Sequence, residues 1–382
     1  MIENLSEIRM VDLVSEYLLN KSEFDKALDQ VFQNGDFING LQVNQFAENI
    51  SKLFNVKHVI PCANGTDALQ IALMSLNLKQ GDEVIVPSFT YVATAEVIAL
   101  LKLKPVIVDV CPKTFNISYD EILKAISNKT KVIIPVHLFG QCADMEPILD
   151  LAKRNGIYVI EDAAQSLGAK YRFSNGNTLY SGTIGDIGCT SFFPTKNLGC
   201  YGDGGAVFSD NLEFANKIKM IANHGQEKKY VHKIIGINSR LDTLQASILN
   251  IKLKSFNQTI LARQRVAGIY DKMLGEINGI NIPTNLSQCT HTYNQYTITV
   301  EENNRDKLRF FLESKKIPTM IYYPIPLFNQ EAFRTISRKV GNLNNSVDLC
   351  NSVLSLPMHP NLSVKHQEYI ADQINYFFNN RN

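Results

Sequence analysis

Ser191-Phe192-Phe193-Pro194-Thr195-Lys196-Asn197-Leu198-Gly199-Cys200-Tyr201-Gly202-Asp203-Gly204-Gly205 sets a single lysine between an aromatic strand end and a glycine-dense loop. Glycines at 199, 202, 204 and 205 free the backbone to take positive φ and to approach a flat ligand. Pro194 stiffens the entry to the turn. A lysine carried on such a loop between packed elements can lose solvation, drop its pKa and condense with an aldehyde. The same residues also suit a surface loop with a snorkelling lysine, and the loop alone leaves both readings open.

Outward from the loop, short apolar runs alternate with helical periodicity. Residues 83–87, 105–109, 131–136 and 157–161 read as buried strands, and 69–76, 93–101, 121–126 and 146–152 as the helices between them. That alternation predicts a parallel sheet covered on both faces, extended around the lysine loop by strands at 188–193 and 205–209. Two amphipathic helices are expected before it, near 23–33 and 41–54. After Arg240 a long helical run from about 241 to 274 leads to a strand at 295–300 and a helix near 305–314, the pattern of a smaller α+β unit. We expect a large domain at 1–257 and a small C-terminal domain at 258–382.

In an open α/β sheet, ligands sit beyond the carboxyl ends of the strands. Four such places carry chemistry. Ala63-Asn64-Gly65-Thr66-Asp67 reads as a turn presenting backbone N–H groups at a helix start, a phosphate cradle, although an ordinary helix cap by Asn64 or Thr66 fits as well. Ser88-Phe89-Thr90-Tyr91 places a ring that could stack on a planar heterocycle or simply join the core. Glu161-Asp162 ends a strand whose period of two sends the two carboxylates to opposite faces, so one of them at most serves a given site. A buried carboxylate there calls for a cation, which a protonated pyridine nitrogen would supply, while the alternative is a helix cap by Asp162. The lysine loop is the fourth place, with Thr190 and Ser191 just before it. Cradle, stacking ring, acid for a ring nitrogen and aldehyde-binding lysine together are the parts of a pyridoxal phosphate site.

Composition agrees with a small-molecule enzyme. Across 382 residues the formal net charge is +1 and 20% of residues are charged, which gives no footprint for nucleic acid or an anionic membrane. Residues 1–20 carry Glu3, Glu7, Asp12 and Glu16 and lack the apolar core of a secretory signal, and no run approaches a membrane span, so a cytoplasmic location is expected. Seven scattered cysteines without a CxxC pair read as reduced thiols rather than metal ligands. A dinucleotide-binding dehydrogenase is disfavoured, because residues 62–68 offer only Gly65 where GxGxxG would be needed.

The runs Asn64-Gly65-Thr66-Asp67-Ala68-Leu69, Glu161-Asp162-Ala163-Ala164-Gln165-Ser166, Ser191-Phe192-Phe193-Pro194-Thr195-Lys196 and Gly202-Asp203-Gly204-Gly205 resemble the sugar aminotransferases of the DegT/DnrJ/EryC1/StrS family. The likeness continues through Tyr323-Pro324-Ile325-Pro326 to Ser355-Leu356-Pro357-Met358-His359-Pro360. It implies the α/β aspartate aminotransferase fold (type I), pyridoxal 5'-phosphate on Lys196, and a homodimer with shared active sites. It further implies phosphate binding by Gly65, Thr66 and Ser191, stacking by Tyr91, pairing of Asp162 with the ring nitrogen, and contact of Gln165 with the ring hydroxyl. Asn238 would reach the phosphate of the neighbouring subunit's cofactor.

Within the family, residues 62–70, 198–205 and His224-Gly225-Gln226 are similar to the subgroup that aminates C-3 of UDP-2-acetamido-2-deoxy-3-oxo-glucuronate in surface polysaccharide (O-antigen or capsule) synthesis. The resemblance implies L-glutamate as amino donor and substrate contacts from Arg240, Tyr322 and Tyr323, with Arg240 suited to a uronate carboxylate. The subgroup usually has histidine at position 322, where this chain has tyrosine. A dTDP-3-oxo-6-deoxyhexose, which lacks the carboxylate, is the alternative substrate, and a non-catalytic regulatory protein on this scaffold the remoter one. A dehydratase branch that carries histidine in place of the lysine is disfavoured by Lys196.

Overall fold

The computed structural model describes residues 7–301 and 304–379. Three helices come first: α1 (Leu13–Leu19), α2 (Lys21–Asn34) and α3 (Leu41–Phe54). α2 and α3 lie where the periodicity puts helices, and each ends on a left-handed residue, Gly35 at φ 73° and Asn55 at φ 51°. α1 was not foreseen.

The alternating region follows as β1 (His58–Cys62), α4 (Gly65–Ser75), β2 (Glu83–Pro87), α5 (Ala93–Leu100), β3 (Lys104–Val108), α6 (Tyr119–Ala125), β4 (Thr130–Ile133), α7 (Met145–Asn155) and β5 (Tyr158–Asp162). A small hairpin, β6 (Lys170–Arg172) with β7 (Thr178–Tyr180), precedes β8 (Ile187–Ser191), β9 (Gly205–Ser209) and α8 (Leu212–Ile221). A second hairpin joins β10 (Gln226–Lys228) to β11 (Val231–His232). The expected run of 241–274 is two helices, α9 (Thr243–Leu253) and α10 (Phe256–Leu274). The chain breaks at Lys254-Ser255, which lets the two segments face different cores. Then come β12 (Ile280–Asn281), β13 (Tyr296–Val300), α11 (Arg305–Ser314), β14 (Arg338–Lys339), α12 (Asn344–Ser352), β15 (Val353–Leu356) and α13 (Val364–Asn379).

The central sheet has the order β1-β9-β8-β5-β4-β2-β3-β14. β9 runs antiparallel to both neighbours, and every other pairing is parallel. Period-two alternation sorts the buried side chains by face. Val84, Val86, Ile107, Val132 and Ile160 pack with α4, α5 and α8, whereas Ile85, Val106, Val108, Ile133 and Val159 pack with α6 and α7. This is the mostly parallel α/β architecture of the type I fold.

A separate core forms from α10, α11, α13, β13 and β15, with Tyr270, Tyr296, Leu308, Leu354 and Ile370 at its centre. Within α10, Phe256 and Ile260 belong to the core under α3 and α9, while Val266 and Leu274 belong to this second one. We propose the division at 257/258 on that basis. Residues after 258 nevertheless return to the large sheet: β14 pairs with β3, and Leu327, Phe333 and Leu343 sit in the core beneath α4 and α5. Among the described residues no helix is long and apolar enough to cross a membrane.

Candidate active site

Strand order decides which loops meet. β9 pairs on one side with β1 (Cys62 opposite Gly205) and on the other with β8 (Ser191 opposite Gly205), so the carboxyl ends of β1 and β8 coincide. The first turn of α4 therefore lies against Ser191. A Cβ placed on Gly65 would fall 2.7 Å from the Cβ of Ser191, so only glycine permits this approach. Asn64 caps α4 by accepting the Asp67 N–H at 2.7 Å. That takes the third N–H of the helix and leaves those of Gly65 and Thr66 free for an anion beside the Ser191 hydroxyl. Cap and cradle, alternatives on sequence grounds, are thus compatible.

Asp162 ends β5, the parallel neighbour of β8, and is 6% exposed. Its Oδ2 accepts from Thr94 Oγ1 at 2.7 Å and its Oδ1 from the Ala164 N–H at 3.2 Å. No helix starts there, so the capping alternative fails. Glu161 points through the other face, fully buried, and accepts from the N–H groups of Gly182, Ile184 and Gly185 at 2.6 to 2.8 Å. His137 Nε2 contacts it at 2.7 Å, and His137 Nδ1 accepts from the Ala143 N–H at 3.1 Å, which puts the ring proton on Nε2. Glu161 thereby fixes the loop and strand behind Asp162, and Asp162 alone is presented to the ligand side.

Lys196 occupies a turn closed by its N–H to Phe193 O at 2.9 Å and by Cys200 N–H to Phe192 O at 2.8 Å. Gly199 is required inside that turn, because a Cβ there would sit 2.4 Å from Pro194 O. Burial lowers the Lys196 ammonium to about 8, while the Asp162 carboxylate acts in the opposite direction. The amine is thus poised near neutrality within the field of the one carboxylate aimed at it. A heterocycle with a phosphate in the cradle, a ring nitrogen at Asp162 and an aldehyde at Lys196 would satisfy three groups the fold otherwise leaves waiting. The donor set fits pyridoxal phosphate.

The remaining expected residues surround this axis. Gln165 accepts from the Phe139 N–H through Oε1 at 2.8 Å and donates from Nε2 to the Tyr323 hydroxyl at 3.0 Å. Tyr323 is pushed well above the usual phenol range by burial, and its ring lies 6.1 Å from that of Tyr91. Tyr91 is 57% exposed, so it is not a core aromatic. Tyr322 is half-buried next to Tyr323. Ser239 Oγ accepts from the Ala63 N–H at 3.0 Å, tying the 238–240 segment to the cradle turn, with Arg240 half-buried and Asn238 exposed opposite Asn223. The exposed face of Asn238 leaves it free to act outside its own chain.

One participant and one contact escaped the sequence reading. Thr94 stands three residues after Tyr91, in the first turn of α5, and that closeness to the expected stacking ring was the available signal. The Gln165–Tyr323 contact joins residues 158 apart in sequence and left no local trace.

A sequence model described as the DegT/DnrJ/EryC1/StrS aminotransferase family matches residues 19–375. The chain is 44% identical over 355 residues to the UDP-2-acetamido-2-deoxy-3-oxo-D-glucuronate aminotransferase of Pseudomonas aeruginosa, covering 93% of this chain and 96% of that one. It is 42% identical over 373 residues to a pleiotropic regulatory protein of Geobacillus stearothermophilus, with 97% and 98% covered. Among solved structures, S. venezuelae DesV in complex with a ketimine intermediate superposes with a TM-score of 0.94 at 32% identity, over 99% of this chain and 100% of that one.

Proposed function

The chain belongs to the DegT/DnrJ/EryC1/StrS aminotransferase family, and we propose that it transfers the amino group of L-glutamate to C-3 of UDP-2-acetamido-2-deoxy-3-oxo-glucuronate. It is a nucleotide-sugar aminotransferase that depends on pyridoxal 5'-phosphate. The observation that carries the reading is the pair formed by a desolvated Lys196 and a buried Asp162 on adjacent strand ends, beside the Gly65–Ser191 cradle.

When bound, the cofactor supplies an aldehyde that condenses with amines and a protonated ring that draws electrons from the reacting carbon. In our reading, Lys196 Nζ would hold the cofactor through its aldehyde and, as a free amine, would serve as the general base that moves a proton from the donor carbon. Asp162, oriented by Thr94, holds the proton on the ring nitrogen. Gly65, Thr66 and Ser191 bind the phosphate, Tyr91 covers one ring face, and Gln165, held by Phe139 and Tyr323, addresses the ring hydroxyl. Asn238 closes the phosphate site of a second copy. A homodimer is supported by exposed apolar residues close to it in sequence, Tyr230 at 82% and Ile235 at 86%.

For the sugar, the similarity to the 3-oxo-glucuronate enzyme and a half-buried Arg240 beside the cradle support a uronate, whose carboxylate Arg240 would bind, with Tyr322 and Tyr323 lining the rest. A role in surface polysaccharide synthesis and a cytoplasmic location follow from that choice. The test is Arg240→Leu, assayed separately in the donor and sugar half-reactions. Loss confined to the sugar half, about 10- to 150-fold for a charge-assisted contact, supports the uronate. Faster turnover of a dTDP-3-oxo-6-deoxyhexose than of the UDP-uronate under matched conditions overturns it. A purified protein that binds no pyridoxal phosphate and transaminates neither sugar would favour a regulatory role.

A further inference from the structure

The amine of Lys196 is only as well placed as the loop that carries it. Beyond the Phe192 N–H, which meets Gly204 O at 2.7 Å, the chain from 193 to 203 lies outside every strand and helix and includes Gly199 and Gly202. Glycine gives such a segment more conformational freedom to lose, so it stays in one place only where something holds it. Inside the loop, Cys200 bonds back to Phe192 O through its N–H at 2.8 Å and its thiol at 2.9 Å.

From outside, the hold comes from α9. Gln245, half-buried in the first turn of that helix, accepts the Tyr201 N–H through Oε1 at 2.9 Å and donates from Nε2 to Tyr201 O at 3.4 Å. One side-chain amide thus meets both polar groups of one backbone residue, as a neighbouring strand would. Among the described residues it is the only side chain from outside the loop that hydrogen-bonds the backbone of 197–203. Gly202 admits it, since a Cβ there would lie 2.9 Å from Gln245 Nε2 and displace the amide. Lys252, two turns on and so on the same face of α9, sets its Nζ 4.1 Å from the centroid of the Tyr201 ring and pairs with Glu16 at 2.8 Å. Phe24 meets the same ring edge-on, 5.4 Å between centroids. Tyr201 is held at backbone and ring, five residues from the amine.

The cause of the shift at Lys196 says what this hold does for the chemistry. Burial lowers the ammonium, and Asp162 opposes that. A loop free to lift would let water reach Nζ and return the amine toward its ordinary protonated state. We propose that Gln245 is a positioning residue for the reaction: by pairing with both backbone groups of Tyr201 it keeps the glycine-dense loop seated and Lys196 out of water. The inference rests on the pyridoxal phosphate reading of Lys196.

The experiment uses the full chain stripped of cofactor, with pyridoxal phosphate as probe. It compares Gln245→Met, which keeps the length and loses the amide, with Gln245→Glu, which keeps an oxygen for the Tyr201 N–H, and with Asn250→Ala. Asn250 is on the same helix, but its amide serves Gln42 O at 2.9 Å and Asn49 at 3.2 Å, both on α3. Stopped-flow uptake is followed across neutral and alkaline pH, amide hydrogen exchange over 197–204, and stability by urea unfolding. In Gln245→Met the pH at which uptake levels off should rise by about half a unit or more, uptake at pH 7 should fall about threefold or more, and exchange over 197–204 should quicken about tenfold. Gln245→Glu should recover at least half of each loss, and Asn250→Ala should move neither profile even where its stability falls. An uptake profile in Gln245→Met equal to that of wild type overturns the proposal, as does an equal displacement in Asn250→Ala or a Gln245→Glu no better than the methionine variant. Should Gln245→Met fail to fold, Gln245→Asn, one methylene too short to reach both Tyr201 atoms, takes its place. Failure of the pyridoxal phosphate reading looks different: wild type then takes up no cofactor at any pH, while hydrogen exchange still reports whether Gln245 holds the loop.

Discussion

The buried amine of Lys196 makes a prediction about pH that needs no substrate. Burial takes its pKa from 10.5 to about 8, against the pull of Asp162. At pH 7 that leaves about 9% of the amine unprotonated, compared with about 0.03% for an unperturbed lysine, a gain of roughly 300-fold in reactive base. Cofactor uptake by the stripped protein should therefore rise about tenfold per pH unit only up to pH 8 and then level off. Asp162→Asn removes the charge that favours the ammonium, so its plateau should begin at lower pH.

The same shift has a stability consequence of definite sign. Between about pH 8 and 10.5 the unfolded chain holds a proton on Lys196 that the native chain has released, so stability rises with pH across that window. Below pH 8 the whole penalty is present, at most ~3 kcal/mol for a shift of this size and less where solvent reaches the side chain. Lys196→Met should stabilise the stripped protein at pH 7 by an amount up to that limit, and the advantage should vanish toward pH 10.5. The assays are stopped-flow absorbance on mixing with pyridoxal phosphate, and urea unfolding of both proteins at several pH values. An uptake rate still climbing tenfold per unit through pH 10, with Lys196→Met no more stable than wild type at pH 7, would refute a desolvated lysine.

Thr94→Val deletes one hydrogen bond to a buried carboxylate, about 1.5 to 3 kcal/mol, and should lower kcat/KM by about 10- to 150-fold while Thr94→Ser recovers most of it; unaltered kinetics in the valine variant would remove Thr94 from the site. Asn238→Ala should loosen cofactor retention, and mixing it with inactive Lys196→Ala should restore activity after verified subunit exchange, because a hybrid dimer would hold one intact site. No recovery would mean that each site is built within one chain.

What the sequence made legible is what local periodicity encodes. Period two along β5 separates Glu161 from Asp162, and the structure turns them to opposite faces as that spacing requires. The helix start at Gly65 and the turn at Lys196 were readable because glycine, proline and capping residues mark them. The break between α9 and α10 was not, since both segments keep helical periodicity and only the existence of two cores separates them. The contact of Thr94 with Asp162, that of Gln165 with Tyr323 and the return of 327–343 to the large sheet depend on tertiary pairing. No window of neighbouring residues reports it.

The antiparallel strand explains why glycine at 205 matters as much as the lysine. If β9 did not stand between β1 and β8, the cradle and Ser191 would have no common neighbour; because it does, Gly205 is the residue both must pass. A Cβ on Gly205 would lie 2.4 Å from Asn64 O and 2.9 Å from the amide nitrogen of Gly65, inside the backbone that presents the cradle. The relief must then come from shifting the turn, since no flexible side chain is there to yield. Displacing that turn moves the Gly65 and Thr66 N–H groups away from Ser191 without touching Lys196 or Asp162. The loop glycines thus serve two separate ends: Gly199 closes the turn that carries the amine, and Gly205 admits the turn that would carry the phosphate. The distance between those two turns is set by the width of one strand.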